Sequence, residues 1–121
     1  MTHSISGVAA LSIDCADPMA LATFWQNLLG GNLVVDDDED GVELHPPGGF
    51  AQMDFFRVPE AKVGKNRLHL DLRSRNYDTA IADALRFGAT LATDIYDGTE
   101  WQVLRDPEGN EFCILRPRST A

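Results

Sequence analysis

The clearest pattern in the chain is the stretch 66–73, in which polar and apolar residues alternate strictly from Arg67 onward. Such alternation is typical of a half-buried strand, because successive side chains point to opposite faces of a sheet. It places His69 and Asp71 together on the polar face, which makes that face the first candidate for function. The leucines predicted on the core face are Leu68, Leu70 and Leu72.

Two other stretches have helical periodicity with clear start and stop signals. Asp17 is a suitable N-cap before Pro18, and Gly30 with Gly31 ends the first helix. Asn76 is the corresponding cap of a second helix that spans 77–87 and ends at Gly88. The residues expected on the apolar faces are Leu21, Phe24, Trp25 and Leu28 in the first helix, and Ile81, Ala84 and Leu85 in the second.

The remaining apolar runs predict strands, separated by turn residues. The predicted strands are 7–14, 33–35, 42–45, 52–58, 66–73, 90–95, 101–105 and 111–116. The predicted turns are the acidic run 36–40, Pro46–Gly49, Asp97–Gly98 and Asp106–Asn110. A calcium loop in the acidic run is disfavoured, because it lacks the spaced ligands and distal Glu of an EF-hand.

The order of these elements is strand, helix and three strands, repeated once. Leu11 precedes Leu70 by 59 positions (11 to 70), and Gly30 precedes Gly88 by 58 (30 to 88), so the two halves are nearly in step. We therefore expect one α+β domain over residues 1–121, built from two βαβββ modules at about 7–58 and 66–116. The sheets should be mostly antiparallel and curved into a concave groove, with the helices on the convex side.

The charge and composition of the chain indicate which classes of partner it is expected to bind. Ten basic and nineteen acidic residues give a net charge of −9, which repels nucleic acid and favours a cationic small molecule over an anionic one. No apolar run approaches the roughly 20 residues of a membrane span, and residues 1–4 do not begin a secretory signal. We expect a cytoplasmic protein without membrane contact, with Cys15 and Cys113 as thiols.

Alternation along the strands also defines the residues of the predicted groove. They are Ala10, Ser12, Asp54, Phe56, His69, Asp71 and Cys113, with either Trp101 and Val103 or Gln102 and Leu104. Aromatic walls with a few polar groups are how proteins hold small molecules, and Trp101 could stack on a flat or cationic ligand or pack at a strand edge. Glu43 and His45 could form an acid/base pair, but a solvated edge pair is favoured.

The chain resembles the vicinal oxygen chelate superfamily, the glyoxalase, bleomycin-resistance and dioxygenase group, and within it the glyoxalase-like domains. The matching segments are Ile13–Pro18, Phe24–Gly30, Lys65–Leu72 and Asp106–Phe112. The resemblance implies paired βαβββ modules. In metal-dependent members of the superfamily it also implies four inward-facing residues that hold one divalent ion.

Carried over residue by residue, the metal positions match poorly. They fall on Ala10, on or within one residue of Phe56, on His69, and on Cys113, where the superfamily usually has Glu. Because Ala and Phe cannot ligate a metal, we expect no cofactor. The alternative is a displaced site for Zn, Ni, Mn or Fe, made by His69, Cys113 and either Asp54 or Asp71.

The sequence therefore predicts a metal-free small-molecule-binding protein, a homodimer, that holds a hydrophobic or cationic compound. Its candidate ligand-binding residues are Ser12, Asp54, Phe56, Trp101 and Cys113, and its candidate catalytic residues are His69 and Asp71. One alternative is a lyase, isomerase or dioxygenase-type enzyme with a displaced metal or with His69 as general base. Another is a partner-binding domain whose groove is filled by its own side chains.

Overall fold

A computed structural model describes residues 3–37 and 40–118 of the chain. The chain divides into two compact units, residues 1–60 and residues 61–121. Within the described residues, each unit contains one four-stranded mixed sheet and one helix. The α+β class and the two βαβββ modules predicted from the sequence are confirmed.

The first unit buries the apolar face of its helix against its sheet. Its elements are β1 (Leu11–Cys15), α1 (Pro18–Leu29), β2 (Asn32–Val35), β3 (Gly41–His45) and β4 (Met53–Arg57), in the sheet order β1-β4-β3-β2. The Asp17 carboxylate accepts a hydrogen bond from the Ala20 amide (3.1 Å), which caps α1 as predicted. Phe24 and Trp25 are buried in edge-to-face contact, with ring centroids 5.3 Å apart.

The second unit repeats this plan. Its elements are β5 (Leu70–Arg73), α2 (Tyr77–Phe87), β6 (Thr90–Leu91), β7 (Trp101–Arg105) and β8 (Glu111–Leu115), in the sheet order β5-β8-β7-β6. Asn76 caps α2 by accepting from the Thr79 amide (3.0 Å), and the Gly88 amide closes its last turn. Gly88 has a φ of 126°, a left-handed value that favours glycine.

Strand register shows how closely the two units correspond. In each unit the first strand runs parallel to the last, and Ser12 pairs with Asp54 as Asp71 pairs with Cys113. The corresponding residues are 59 positions apart (12 to 71 and 54 to 113). The near-periodicity predicted from a few leucines and glycines is therefore a repeat of the backbone.

The alternating stretch 66–73 is a strand only in its second half. Residues 67–68 form a bend, and Leu68 is 72% exposed, so its predicted core position is wrong. The reason lies in the neighbouring strand β8, which begins only at Glu111 after the tight turn 106–110. The Asn66 amide instead donates to the Glu111 side chain (2.7 Å), because no strand residue is opposite it.

Two other predicted strands are also shorter than expected. β1 begins at Leu11 rather than at residue 7, and β6 ends at Leu91 rather than at residue 95. After β6 the amides of Ile95 and Tyr96 donate to the Ala92 carbonyl, so the turn lies at 93–95 and not at Asp97–Gly98. Two residues of the acidic turn 36–40, Asp38 and Glu39, lie outside the described residues, as do 119–121.

Candidate pocket in the second unit

One face of the second unit's sheet carries a pocket of about 470 Å³. Its apolar lining residues are Ile95, Tyr96, Trp101, Val103 and Leu115, and its polar ones are Lys65, His69, Asp71, Glu111 and Cys113. The volume is within the usual range for small-molecule sites, roughly 300–1,000 Å³. Four predicted site residues, His69, Asp71, Trp101 and Cys113, are thus brought together in one place.

The register of the sheet explains which side chains face the pocket. Cys113 pairs with Asp71 on one side and with Val103 on the other, so the three side chains form a row across one face. Trp101 is two residues from Val103 and shares this face. Of the two alternatives left open by the sequence, Trp101 and Val103 line the pocket, and the Gln102 and Leu104 alternative is wrong.

The wall of the pocket is a pair of stacked aromatic rings. Tyr96 and Trp101 are nearly parallel (9°), with centroids 4.1 Å apart, and Trp101 remains 38% exposed. The Tyr96 hydroxyl accepts a hydrogen bond from the Glu100 amide (3.4 Å). Such a stack offers a flat, apolar surface with little side-chain freedom left to lose on binding.

Two arginines tie the segment 92–100, which carries Tyr96, to the sheet. Arg105 donates to both carboxylate oxygens of Asp94 (2.8 and 2.7 Å), and Arg116 donates to the Thr99 carbonyl (2.9 and 2.7 Å). The Arg116 guanidinium also lies over the Tyr77 ring, 4.1 Å from its centroid. The pocket wall is therefore held in place before any ligand arrives.

Cys113 lies beside Asp71 on the floor of the pocket. Burial, together with the negative charge of Asp71 and a hydrogen bond to it, raises the pKa of the Cys113 thiol to about 11. A thiol with so high a pKa is almost entirely protonated near neutral pH and is a poor nucleophile and metal ligand. Cys113 is thus better suited to shape the floor than to react.

Lys65 and Glu111 complete the polar side of the pocket. The Lys65 ammonium donates to the Nε2 atom of His69 (2.6 Å), because an ammonium has no lone pair with which to accept. Burial disfavours ionisation of Glu111, but the hydrogen bond from the Asn66 amide and the charges of Lys62 and Arg105 outweigh it and lower its pKa. The ring nitrogen that His69 would need as a general base already accepts a hydrogen bond.

The other predicted ligand-binding residues belong to the first unit. Ser12 is exposed and Asp54 is half-buried, and the two are partners in neighbouring strands. Asp54 accepts a hydrogen bond from Gln52 (2.9 Å), and Phe56 is 39% exposed. His45 and Glu43 form the predicted edge pair (2.8 Å) at the surface of the same sheet.

Sequence reasoning missed five lining residues, Lys65, Ile95, Tyr96, Glu111 and Leu115. Lys65 precedes the predicted strand 66–73, and Ile95 was placed in the strand 90–95, which ends at Leu91 instead. Glu111 and Leu115 could have been found, since strict alternation from Cys113 puts both on the pocket face. Tyr96 had no such signal, because it enters the pocket from a segment without regular structure.

The donor set does not fit the divalent metal that the superfamily implies. Among residues 3–37 and 40–118, no three His, Cys, Asp or Glu side chains form a group that could hold a metal ion. The Nε2 atom of His69, which would ligate the metal, accepts a hydrogen bond from the Lys65 ammonium. The raised pKa of Cys113 keeps this residue in its thiol form, which is a poor metal ligand. The repeat also assigns Asp54, not Phe56, as the counterpart of Cys113.

Comparison with known proteins agrees with this architecture. Residues 10–115 match the sequence profile of the glyoxalase-like domain. No curated protein matches the chain. In the described part of the chain, no helix has the length and apolar character needed to cross a membrane.

Solved structures of the glyoxalase, bleomycin-resistance and dioxygenase superfamily share the fold. An enzyme of that superfamily from Burkholderia phytofirmans is 21% identical, with 91% of this chain and 98% of that one covered and a TM-score of 0.71. A member from Sphaerobacter thermophilus is 23% identical, covering 93% and 98%, with a TM-score of 0.67. A fosfomycin resistance protein from Mesorhizobium loti is 10% identical, covering 92% and 91%, with a TM-score of 0.69. The profile match spans nearly the whole chain, which therefore belongs to the glyoxalase-like domain family.

Proposed function

We propose that the chain is a small-molecule-binding protein that holds a flat hydrophobic or cationic compound without a metal. The observation that carries the proposal is the stacked Tyr96–Trp101 wall beside a pocket of about 470 Å³. Trp101 is 38% exposed, and the ring surface that Tyr96 leaves uncovered would attract both aromatic and cationic ligands. Asp71, an exposed carboxylate in the same pocket, would meet a positively charged group of the ligand.

The chemistry of the lining supports binding over catalysis. A general base needs a free lone pair within reach of the substrate, whereas His69 shares its Nε2 lone pair with Lys65. A covalent route needs an activated nucleophile, and the raised pKa of Cys113 removes the nearest one. We therefore assign His69 and Asp71 to ligand contact, and Trp101 and Cys113 to the wall and floor.

Titration with two indoles tests the proposal. Indole-3-acetamide is flat and neutral, and tryptamine adds a positive charge to the same ring system. We expect both to bind, and Trp101→Ala to weaken each about tenfold, since loss of stacking and buried apolar area costs about 1.4 kcal/mol. Calorimetry, with NMR shifts of pocket amides, measures the change.

Leu68→Ala is the matched control, because Leu68 is an exposed apolar residue of the same unit outside the pocket lining. It should leave both dissociation constants unchanged. If neither indole perturbs the pocket amides, or if Trp101→Ala binds both as tightly as the native chain does, the pocket is not a site for flat ligands. An Asp71→Asn variant should weaken tryptamine while sparing the amide.

A further inference from the structure

Lys65 stands where two pockets meet. A second pocket of about 320 Å³ adjoins the aromatic one, and Lys65 and Glu111 line both. The charged residues of the second pocket are Lys62, Lys65, Arg105, Glu108 and Glu111. Lys62 and Lys65 are the only lysines in the sequence, and with Arg105 they give this pocket three of the ten basic residues of a chain of net charge −9.

The other two cations of this pocket are held by carboxylates. Glu111, whose side chain is 5% exposed, lies 3.8 Å from the Lys62 ammonium and 3.6 Å from Arg105 Nε. Arg105 is further paired with Asp94 (2.7 Å). Their charges are largely offset, and their role in the pocket is to hold its walls together.

Lys65 differs from both of them. Within the described residues, it forms no ion pair with a carboxylate, and its hydrogen-bond partner is the ring nitrogen of His69. An ammonium has three donors, so two remain available after the bond to His69. Its charge also acts inside the aromatic pocket, where it opposes the rise in the pKa of Cys113.

We propose that Lys65 binds an anionic group, a carboxylate or a phosphate, on a ligand whose flat part lies against Trp101. The inference rests on the part of the proposed function that places a flat ligand against Trp101, and it adds an anionic group to that ligand in place of a purely cationic one. The overall charge of the chain predicts a cation, but charges beyond about 8 Å are screened at physiological ionic strength. The charges at the junction therefore set the local preference, and Lys65 is the cation there that forms no ion pair with a carboxylate within the described residues.

Glu108 and Asp71 oppose this preference, because each lines one of the two pockets with a negative charge. Neutralising either carboxylate should therefore change the affinity for an anionic ligand in the direction opposite to the removal of Lys65. Removing Lys65 should weaken an anionic ligand, and neutralising Glu108 or Asp71 should strengthen it. A merely structural role of Lys65 would not produce this pair of opposite responses.

The experiment compares indole-3-acetate with indole-3-acetamide, which has the same shape without the charge. The propionate and butyrate homologues extend the reach of the carboxylate, and a matching phosphate ester distinguishes the two anions. We expect one acid to bind about fivefold to tenfold more tightly than its amide at low salt, as for a charge-assisted hydrogen bond. The ratio should fall as salt is added.

In Lys65→Gln the acid-to-amide ratio should fall to about one, while amide binding is retained. Arg67→Gln is the matched control, since Arg67 is a nearby exposed cation that lines neither pocket. Equal binding of acids and amides in the native chain, or a ratio that survives Lys65→Gln, overturns the anion site and leaves the aromatic site standing. Failure of every indole to bind overturns the proposed function, and the anion site with it.

Discussion

The two units share one topology but differ in the part of the chain that runs from β2 to β3 in the first unit and from β6 to β7 in the second. In the first unit β2 runs for four residues and pairs with β3 along its length. In the second unit β6 has only two residues, and segment 92–100 then places Ile95 and Tyr96 beside the sheet face. The pocket exists because the strand is interrupted there.

The cores differ as well. Of the ten largest fully buried side chains among the described residues, seven belong to the first unit, including Trp25, Phe24 and Phe55, and three to the second. Helix α1 buries five residues, whereas Ala84 is the one buried residue of α2. Repetition of a topology therefore does not require equal cores, and the less heavily packed unit is the one that carries the aromatic pocket.

Matched core truncations should give the largest effect. Phe55 and Ile114 are counterparts 59 positions apart (55 to 114), and both are buried. We expect Phe55→Ala to cost about 3–5 kcal/mol of unfolding free energy and Ile114→Ala about 2–4, measured by urea denaturation. Phe50→Ala, at an exposed position, should change stability by less than about 0.5 kcal/mol. A larger loss at Ile114 than at Phe55 would contradict the difference between the cores.

The glycines that follow the two helices should respond differently to alanine. Gly31 and Gly88 both have positive φ (99° and 126°). A Cβ at Gly31 would overlap the backbone of His45, whereas at Gly88 it would meet Pro107 at 3.4 Å. We expect Gly31→Ala to cost about 3 kcal/mol and Gly88→Ala about 1–2, from thermal and urea melts. Gly48→Ala is the control, because Gly48 has a positive φ of 62° but open space around a Cβ, so its loss of stability measures the backbone strain alone. Equal losses of unfolding free energy at Gly31, Gly88 and Gly48 would contradict a contribution from the overlap with His45.

Loosening segment 92–100 should affect the second unit locally. Arg116→Ala removes two hydrogen bonds to the Thr99 carbonyl and the contact with Tyr77. A loss of about 1 kcal/mol is expected, because these groups are exposed, together with faster hydrogen exchange at 93–100 and weaker indole binding. Arg118→Ala should have none of these three effects. Unchanged exchange in Arg116→Ala would mean that the segment is held by the Arg105–Asp94 pair.

The smallest effect concerns the thiols, one in each unit. With a pKa of about 11, only about one Cys113 in a thousand is ionised at pH 8, so iodoacetamide should react slowly and faster as pH rises. Asp71→Asn removes a cause of the raised pKa and should accelerate alkylation severalfold. A Cys15→Ser background removes the other thiol, which is 3% exposed. An alkylation rate independent of Asp71 would show that burial alone protects Cys113.

Most of the fold could be predicted because its signals are local. Asp17, Asn76 and the glycines that follow the helices determine where α1 and α2 begin and end, and the bounds of α2 and β7 agree with the structure. The candidate site was predicted in part. His69, Asp71 and Cys113 follow from alternation, but Lys65 and Tyr96 enter from irregular segments that no periodicity marks.

Sequence alone therefore determined the helices, the repeated order of strands and the polar face of residues 66–73, because hydrophobic period and capping act over a few neighbouring residues. Only the tertiary structure decided that β5 begins at Leu70, that Trp101 faces the pocket and that Tyr96 stacks on it. These outcomes depend on which distant residue is available as a partner. The turn at 106–110 leaves no strand beside residues 66–68, so their regular alternation does not form a ladder. The segment before β5 instead places Lys65 at the junction of two pockets.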